Sequence, residues 1–190
     1  MHKMITTQLG GKFSKEDLGL FDLKLRLVSA GISVAYPQGN GILATQNGVD
    51  LSFDPTKTTK SFYDIELDLF KMIKENQVHI LHNKFKLDFG YVGRGASVEM
   101  AYAMSHDRPI ILLYEPQMSS RVPPEIMKIV SPRLNGVNIK RLDQLCATGL
   151  KQFVESIAGM PTHYGVTVEE EYTLMQCVSS LLASYKTKLI

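Results

Sequence analysis

The chain has 190 residues, 44% of them hydrophobic and 21% charged, the proportions of one globular domain with a sizeable core and not of a disordered polymer. Lys and Arg number 21 against 19 Asp and Glu, a net charge of +2, which leaves no electrostatic footprint for a nucleic-acid polymer. The longest apolar runs, such as Ile110 to Tyr114, are too short to span a bilayer, so no membrane partner is expected. Met1-His2-Lys3-Met4 leads into polar sequence with no apolar signal segment. Cys146 and Cys177 lack metal-ligand spacing and fit a reducing cytoplasm, where the chain is expected to reside.

Met4 to Gln8 reads as a first strand, closed by Gly10-Gly11. Ser14 with Asp17 in capping-box position opens a helix that Gly31 ends, and Ile32 to Tyr36 forms the second strand. Ile42 to Thr45 and Val49 to Phe53 flank Asn47-Gly48, a favoured hairpin turn. Ser61 caps a helix with Phe62, Ile65, Leu69, Met72 and Ile73 on one stripe, before a strand at Gln77 to Leu81. A helix from about Ala96 to Ser105 precedes a strand at Pro109 to Tyr114. Pro123-Pro124 opens a short helix through Ile129, Val137 to Lys140 is a fifth strand, and a helix spans about Leu142 to Ile157. The last helix starts at Thr167 with Glu170 in capping-box position, and Val168, Tyr172, Met175, Val178, Leu182 and Tyr185 form its apolar face.

Strands alternating with helices imply an α/β fold: a flavodoxin-like (Rossmann-like) three-layer sandwich, with a five-stranded parallel sheet in the order 2-1-3-4-5 and an extra C-terminal helix. One domain over residues 1–190 suffices, with the pocket in residues 1–115 and the remaining strand and helices in 116–190. Ligands of such sheets bind where strand order reverses, at the carboxyl ends of the first and third strands. Gly10-Gly11 and the stretch from Asn83 to Gly95 leave from those ends.

The second of these stretches carries Asp88, Gly90, Tyr91, Gly93, Arg94 and Gly95 before the helix. Glycines let backbone approach a ligand, and a helix start offers unpaired N–H groups to a phosphate or carboxylate. The Walker pattern fails because no Lys-Ser or Lys-Thr follows the last glycine, and the dinucleotide fingerprint fails on spacing. Glu99, read in the first turn, is either an ordinary complement to the helix dipole or an ionised nucleophile for an electrophilic sugar carbon.

The run Gly93-Arg94-Gly95-Ala96-Ser97-Val98-Glu99-Met100-Ala101-Tyr102-Ala103-Met104-Ser105, followed by Pro109 to Leu113, resembles the nucleoside 2-deoxyribosyltransferase family, residue-specifically over about residues 61–114. The resemblance implies exchange or hydrolysis of the N-glycosidic bond of a nucleoside or nucleotide, with Glu99 as the nucleophile and no metal or organic cofactor. Departures stand beside it. Gly93 or Tyr91 occupies the place of a loop Asp, Leu69 falls in the register of a helix carboxylate with Asp68 one position off, and Thr6 or Thr7 replaces a Tyr on the first strand. Asp88 and Asp68 are the candidate acids for the leaving base, and Gly10, Gly11, Tyr91, Gly93, Arg94, Gly95 and Ser97 the candidate substrate contacts.

Alternatives stay open at several of these positions. Arg94 is a clamp for a 5'-phosphate or a solvated loop residue, and Tyr91 stacks on a base or packs on its own domain. Asp64 and Asp68, one turn apart, read as a solvent-facing pair, and His79 and His82 lack zinc spacing. At the level of function, the alternative is a non-catalytic nucleotide or ADP-ribose-like ligand sensor; a vestigial pocket in an assembly subunit is the third reading. A homo-oligomer is expected through the last helix or the hairpin, since members of the resembled family complete their pockets with a neighbouring chain.

Overall fold

The computed structural model describes residues 4–11, 19–36, 42–46, 49–52 and 61–186. The first half contains β1 (Thr6–Gly11), α1 (Gly19–Ser29), β2 (Ser33–Ala35), β3 (Ile42–Gln46), β4 (Val49–Ser52), α2 (Phe62–Glu75) and β5 (Val78–His82). Three two-residue strands follow, β6 (Lys84–Phe85), β7 (Asp88–Phe89) and β8 (Tyr91–Val92), and then α3 (Arg94–Ser105) and β9 (Ile110–Leu112). The chain continues through β10 (Gln117–Met118), α4 (Pro124–Val130), β11 (Asn138–Ile139), α5 (Ala147–Ala158) and α6 (Val168–Lys186).

Five of these strands form one parallel sheet in the order β11-β9-β5-β1-β2, the doubly wound arrangement that the alternation implies. Side chains alternate across the pleat, so the sheet fills two cores at once. Leu9, Val78, Ile80, Ile111 and Leu113 pack against Leu20, Leu23 and Leu27 of α1 and Leu150 and Val154 of α5. Leu81, Ile110 and Leu112 pack on the opposite layer, which is built from α2, α3, α4 and α6. The order reverses between β1 and β5, whose register places Gln8 beside His79 and Gly10 beside Leu81.

Local signals set several element ends. The Ser61 hydroxyl accepts from the Asp64 N–H at 3.2 Å while the Asp64 carboxylate accepts from the Ser61 N–H at 3.3 Å, a full capping box. Thr167 and Glu170 repeat the exchange at α6, at 3.2 and 2.8 Å. β3 and β4 pair antiparallel, with Gln46 opposite Val49, around the Asn47-Gly48 position. The Ser14–Asp17 cap and Asn47-Gly48 itself lie outside the described residues.

Three expectations are corrected by tertiary contacts. The helix read from about Ala96 starts at Arg94, with Gly93 as its N-cap. The helix read from Leu142 is broken: Leu142–Gln144 is one 3-10 turn, Leu145 and Cys146 are extended, and α5 begins at Ala147. Arg26 of α1 donates to the Leu145 carbonyl and Leu142 is fully buried, so contacts outside the segment hold the break.

The apolar face of α6 is also rotated. Leu174, Val178, Leu181 and Leu182 are buried, whereas Val168, Tyr172 and Met175 are exposed. Arg133 holds both Glu170 oxygens, at 3.0 and 2.6 Å, and donates to the Ile129 and Gly165 carbonyls. Arg133 lies in the turn that follows α4, so this pair joins that turn to the start of α6. Val178 and Leu182 of this face are spent on the chain's own core.

Asn83 fastens the carboxyl edge of the sheet. Its Oδ1 accepts from the N–H groups of Leu113 and Tyr114 at 3.0 and 3.1 Å, and its Nδ2 donates to the Tyr114 carbonyl at 2.8 Å. The side chain is buried, so removing it leaves backbone groups without partners. Asn83→Ala is expected to lower stability by about 2–4 kcal/mol, read as a fall in the urea midpoint at unchanged slope.

Candidate active site

The stretch from Asn83 to Gly95 is a built structure and not an open glycine loop. β6 and β7 form a tight antiparallel hairpin, and β8 pairs with β10. The Gly90 N–H donates to the Asn83 carbonyl at 2.8 Å, and the Gln117 N–H donates to the Gly90 carbonyl at 2.7 Å. Gly90 has φ +92°, and a Cβ there would fall 2.1 Å from the Glu115 carbonyl oxygen, so this glycine serves the turn and the close backbone approach. Only the later part of the stretch reaches a cavity.

That cavity, of about 300 Å³, opens at the carboxyl end of β1 and β5. Its wall includes Gly11, Tyr91, Gly93, Arg94 and Gly95, with Glu99 beside them and Tyr185 entering from α6. Gly10 is not in the wall, but it lies directly against Glu99: a Cβ on Gly10 would stand 2.5 Å from Glu99 Oε2 and 3.3 Å from the His79 ring. Ser97 is fully buried and closes the first turn of α3, donating to the Arg94 carbonyl at 2.8 Å, and is not in the wall.

Asp88 and Asp68 are not brought to the cavity. Asp88 is exposed on the hairpin, and Asp68 is half-buried on α2 outside the wall. The carboxylate that acts on Glu99 is Glu66. It sits three residues before Leu69 and therefore on the same helix face, the one signal that points to it in the sequence.

Glu99 is the sixth residue of α3, in its second turn, beyond the unpaired N–H groups of the helix start. It is 7% exposed, and its Oε2 has no hydrogen-bond partner. Burial pushes its carboxyl up to about 8, with a second push from Glu66. Glu66 is itself pushed up to about 7 by burial, against a lowering by the Tyr185 hydroxyl, which donates to it. The helix dipole therefore does not decide this charge state. A buried carboxylate without a donor costs several kcal/mol, so the pair holds a proton near neutral pH.

Beneath Glu99, His79 lies fully buried on β5, and its Nδ1–H donates to Gln8 Oε1 across the β1–β5 pair. Burial pushes this imidazole down to about 3, so it is neutral. Gln8 Nε2, His79 Nε2, Glu66 Oε2 and Glu99 Oε2 are all buried without partners. They account for four of the five such side-chain atoms among the described residues, which marks this spot as the place where packing yields to chemistry.

A larger cavity of about 650 Å³ lies on the opposite face of the sheet, between α1 and α5. Two of its charged groups are engaged elsewhere. Asp143 forms a two-point pair with Arg141, at 2.8 and 2.5 Å, and Arg26 is bound to the Leu145 carbonyl. The smaller cavity holds the unsatisfied carboxyl and is therefore the candidate active site. Among the described residues no three His, Cys, Asp or Glu side chains converge as metal ligands. No helix among those residues is long and apolar enough to cross a membrane. In comparisons with known proteins, no family model and no curated protein sequence matches the chain.

The carboxyl pair gives stability a definite pH dependence. Glu66 and Glu99 take up protons on folding, so their contribution is full below about 4.5 and is lost as pH rises through about 7 and about 8. His79 acts in the opposite sense and only below its ordinary value of 6.5. Between pH 6.5 and 8 the carboxyls act without that opposing term, and stability is expected to fall with rising pH. Urea midpoints measured across that range check the sign, and Glu99→Gln should flatten the slope.

Proposed function

We propose that the chain is a nucleoside or nucleotide N-glycosidic-bond enzyme in which Glu99 attacks C1' of the sugar. The observation that carries this reading is the interacting carboxyls Glu66 and Glu99, with Glu99 buried in the wall of a cavity at the strand-order reversal. The sequence resemblance to the 2-deoxyribosyltransferases over the α3 region supports it. Two carboxyls with one proton between them suit a double displacement at a sugar carbon.

In this reaction Glu66 takes the proton of Glu99, and the freed Glu99 oxygen bonds to C1' as the C1'–N bond breaks. The electron pair leaves on the base nitrogen, and because Glu66 lies outside the cavity wall its proton reaches that nitrogen through a water in the cavity. Water, or the N–H of a second base, then attacks C1' and gives its proton to Glu66. Glu99 departs as a carboxylate and recovers the proton. The electrophile is the sugar carbon, and burial keeps bulk water from competing before the glycosyl–enzyme forms.

Tyr91 and Arg94 border the same cavity, Arg94 exposed at the first position of α3, whose start has no side-chain cap. A base stacked on Tyr91 and a phosphate held by Arg94 are the substrate contacts this reading assigns.

Chromatography of released base across a panel of nucleosides and their 5'-phosphates tests the reading. Glu99→Gln is expected to lower the rate by about 10²-fold or more, and Glu66→Gln by about 10²- to 10⁴-fold. Retained turnover in Glu99→Gln overturns the covalent step. Ligand-induced rises in melting temperature across the panel without base release support ligand sensing in place of catalysis.

A further inference from the structure

The chain's last described helix ends at its candidate active site. Tyr185, one residue from the end of α6, stands in the wall of the Glu99 cavity, and its O–H donates to Glu66. Glu66 is not in that wall, so the phenol lies at the cavity surface while holding a carboxylate set back from it. The helix that delivers it is rigidly seated: Arg133 grips Glu170 at its start, and Leu174, Val178, Leu181 and Leu182 are buried along it.

We propose that Tyr185 is the positioning residue of the carboxyl pair: its hydrogen bond fixes the orientation of Glu66 and decides that the single shared proton rests on Glu99. A donated O–H favours the ionised form of the carboxylate that accepts it; Glu66 receives this one donor on a single oxygen, while its Oε2, like Glu99 Oε2, has no partner. The phenol is pushed up to about 12, chiefly by burial, and so remains a donor throughout the working range. The charged groups that face the phenol are Glu66 from α2 and Glu99 and Arg94 from α3. On the sheet side of Glu99, His79 is neutral and leaves this balance to the carboxyls and the phenol.

The catalytic meaning of this arrangement rests on the glycosidic reading, because an unprotonated Glu66 is what accepts the proton when Glu99 attacks. The arrangement itself can be measured without substrate. The full chain, carrying ¹³C-labelled glutamate, is titrated by NMR, and the Glu66 and Glu99 carboxyl signals are assigned with the two Glu→Gln variants. Glu66 is expected to ionise at lower pH than Glu99. In Tyr185→Phe, which keeps the ring and its packing, the Glu66 midpoint should rise by about one pH unit or more. Site-specific 3-fluorotyrosine at position 185, a stronger donor of nearly the same size, should move it the opposite way, which guards against a variant that loses its fold.

An unchanged Glu66 midpoint in both proteins overturns the proposal, as does a wild-type titration in which Glu99 ionises first. A titration that behaves as stated beside a nucleoside panel that is not turned over fails the glycosidic reading and leaves the positioning role standing. Where turnover is found, the kcat–pH profile should move with the Glu66 midpoint in Tyr185→Phe, with KM little changed.

Discussion

An acid buried without a donor is the constraint around which this molecule is arranged. Glu99 projects from the second turn of α3 against the sheet, at a point where Gly10 offers no side chain and leaves room for the carboxyl. A Cβ at Gly10 would stand 2.5 Å from Glu99 Oε2, so any other residue there would displace the carboxyl from its present position. The β1–β5 register sets that position, because it places Gly10 beside Leu81 with His79 two residues back on the same face. Glu66 from α2 then raises the proton affinity of the pair further. Four elements meet at one carboxyl.

The surroundings of the pair are held stiffly. Asn83 ties the end of β5 to the continuation of β9, and Gly90 allows the hairpin between them to turn back against Glu115. The glycines of this stretch therefore divide their work: Gly90 makes the turn, while Gly93 and Gly95 lie in the cavity wall at the start of α3. A preorganised wall of this kind lets the carboxyls act without reorganising when a ligand enters. On the far side of the sheet the larger cavity shares His82 and Lys84 with this wall, and there Asp143 is held by Arg141 and Arg26 by the Leu145 carbonyl.

Much of the fold was legible because its signals are local. Alternating apolar runs gave the five strands and their order, Ser61 and Thr167 announced their helices through capping boxes, and Asn47-Gly48 marked the β3–β4 hairpin. The errors came where a distant side chain overrode local preference. Arg26 holds the Leu145 carbonyl where the stretch from Leu142 to Ile157 is broken, and α6 buries Leu174 and Leu181 against the chain's own core in place of Tyr172 and Met175. In the site, the α3 segment pointed to Glu99, but its proton affinity is raised by burial and by Glu66, neither of which is written in that segment. Of the candidate acids, Asp88 was the carboxylate nearest the glycine stretch, and Asp68 lay one position off the register of the resembled family's helix carboxylate. Glu66 was passed over although it shares the helix face of Leu69.

The sequence by itself determined the sheet, its strand order, the place of the order reversal and the segment that carries Glu99. Periodicity and capping are written in neighbouring residues and need no knowledge of the rest of the chain. Only the tertiary structure decided which carboxyl stands beside Glu99, that Tyr185 reaches Glu66 from the opposite end of the chain, and that the pair holds a proton near neutral pH. Burial and the approach of two like charges depend on how separate helices pack. A side chain's ionisation follows that packing and not its place in the sequence.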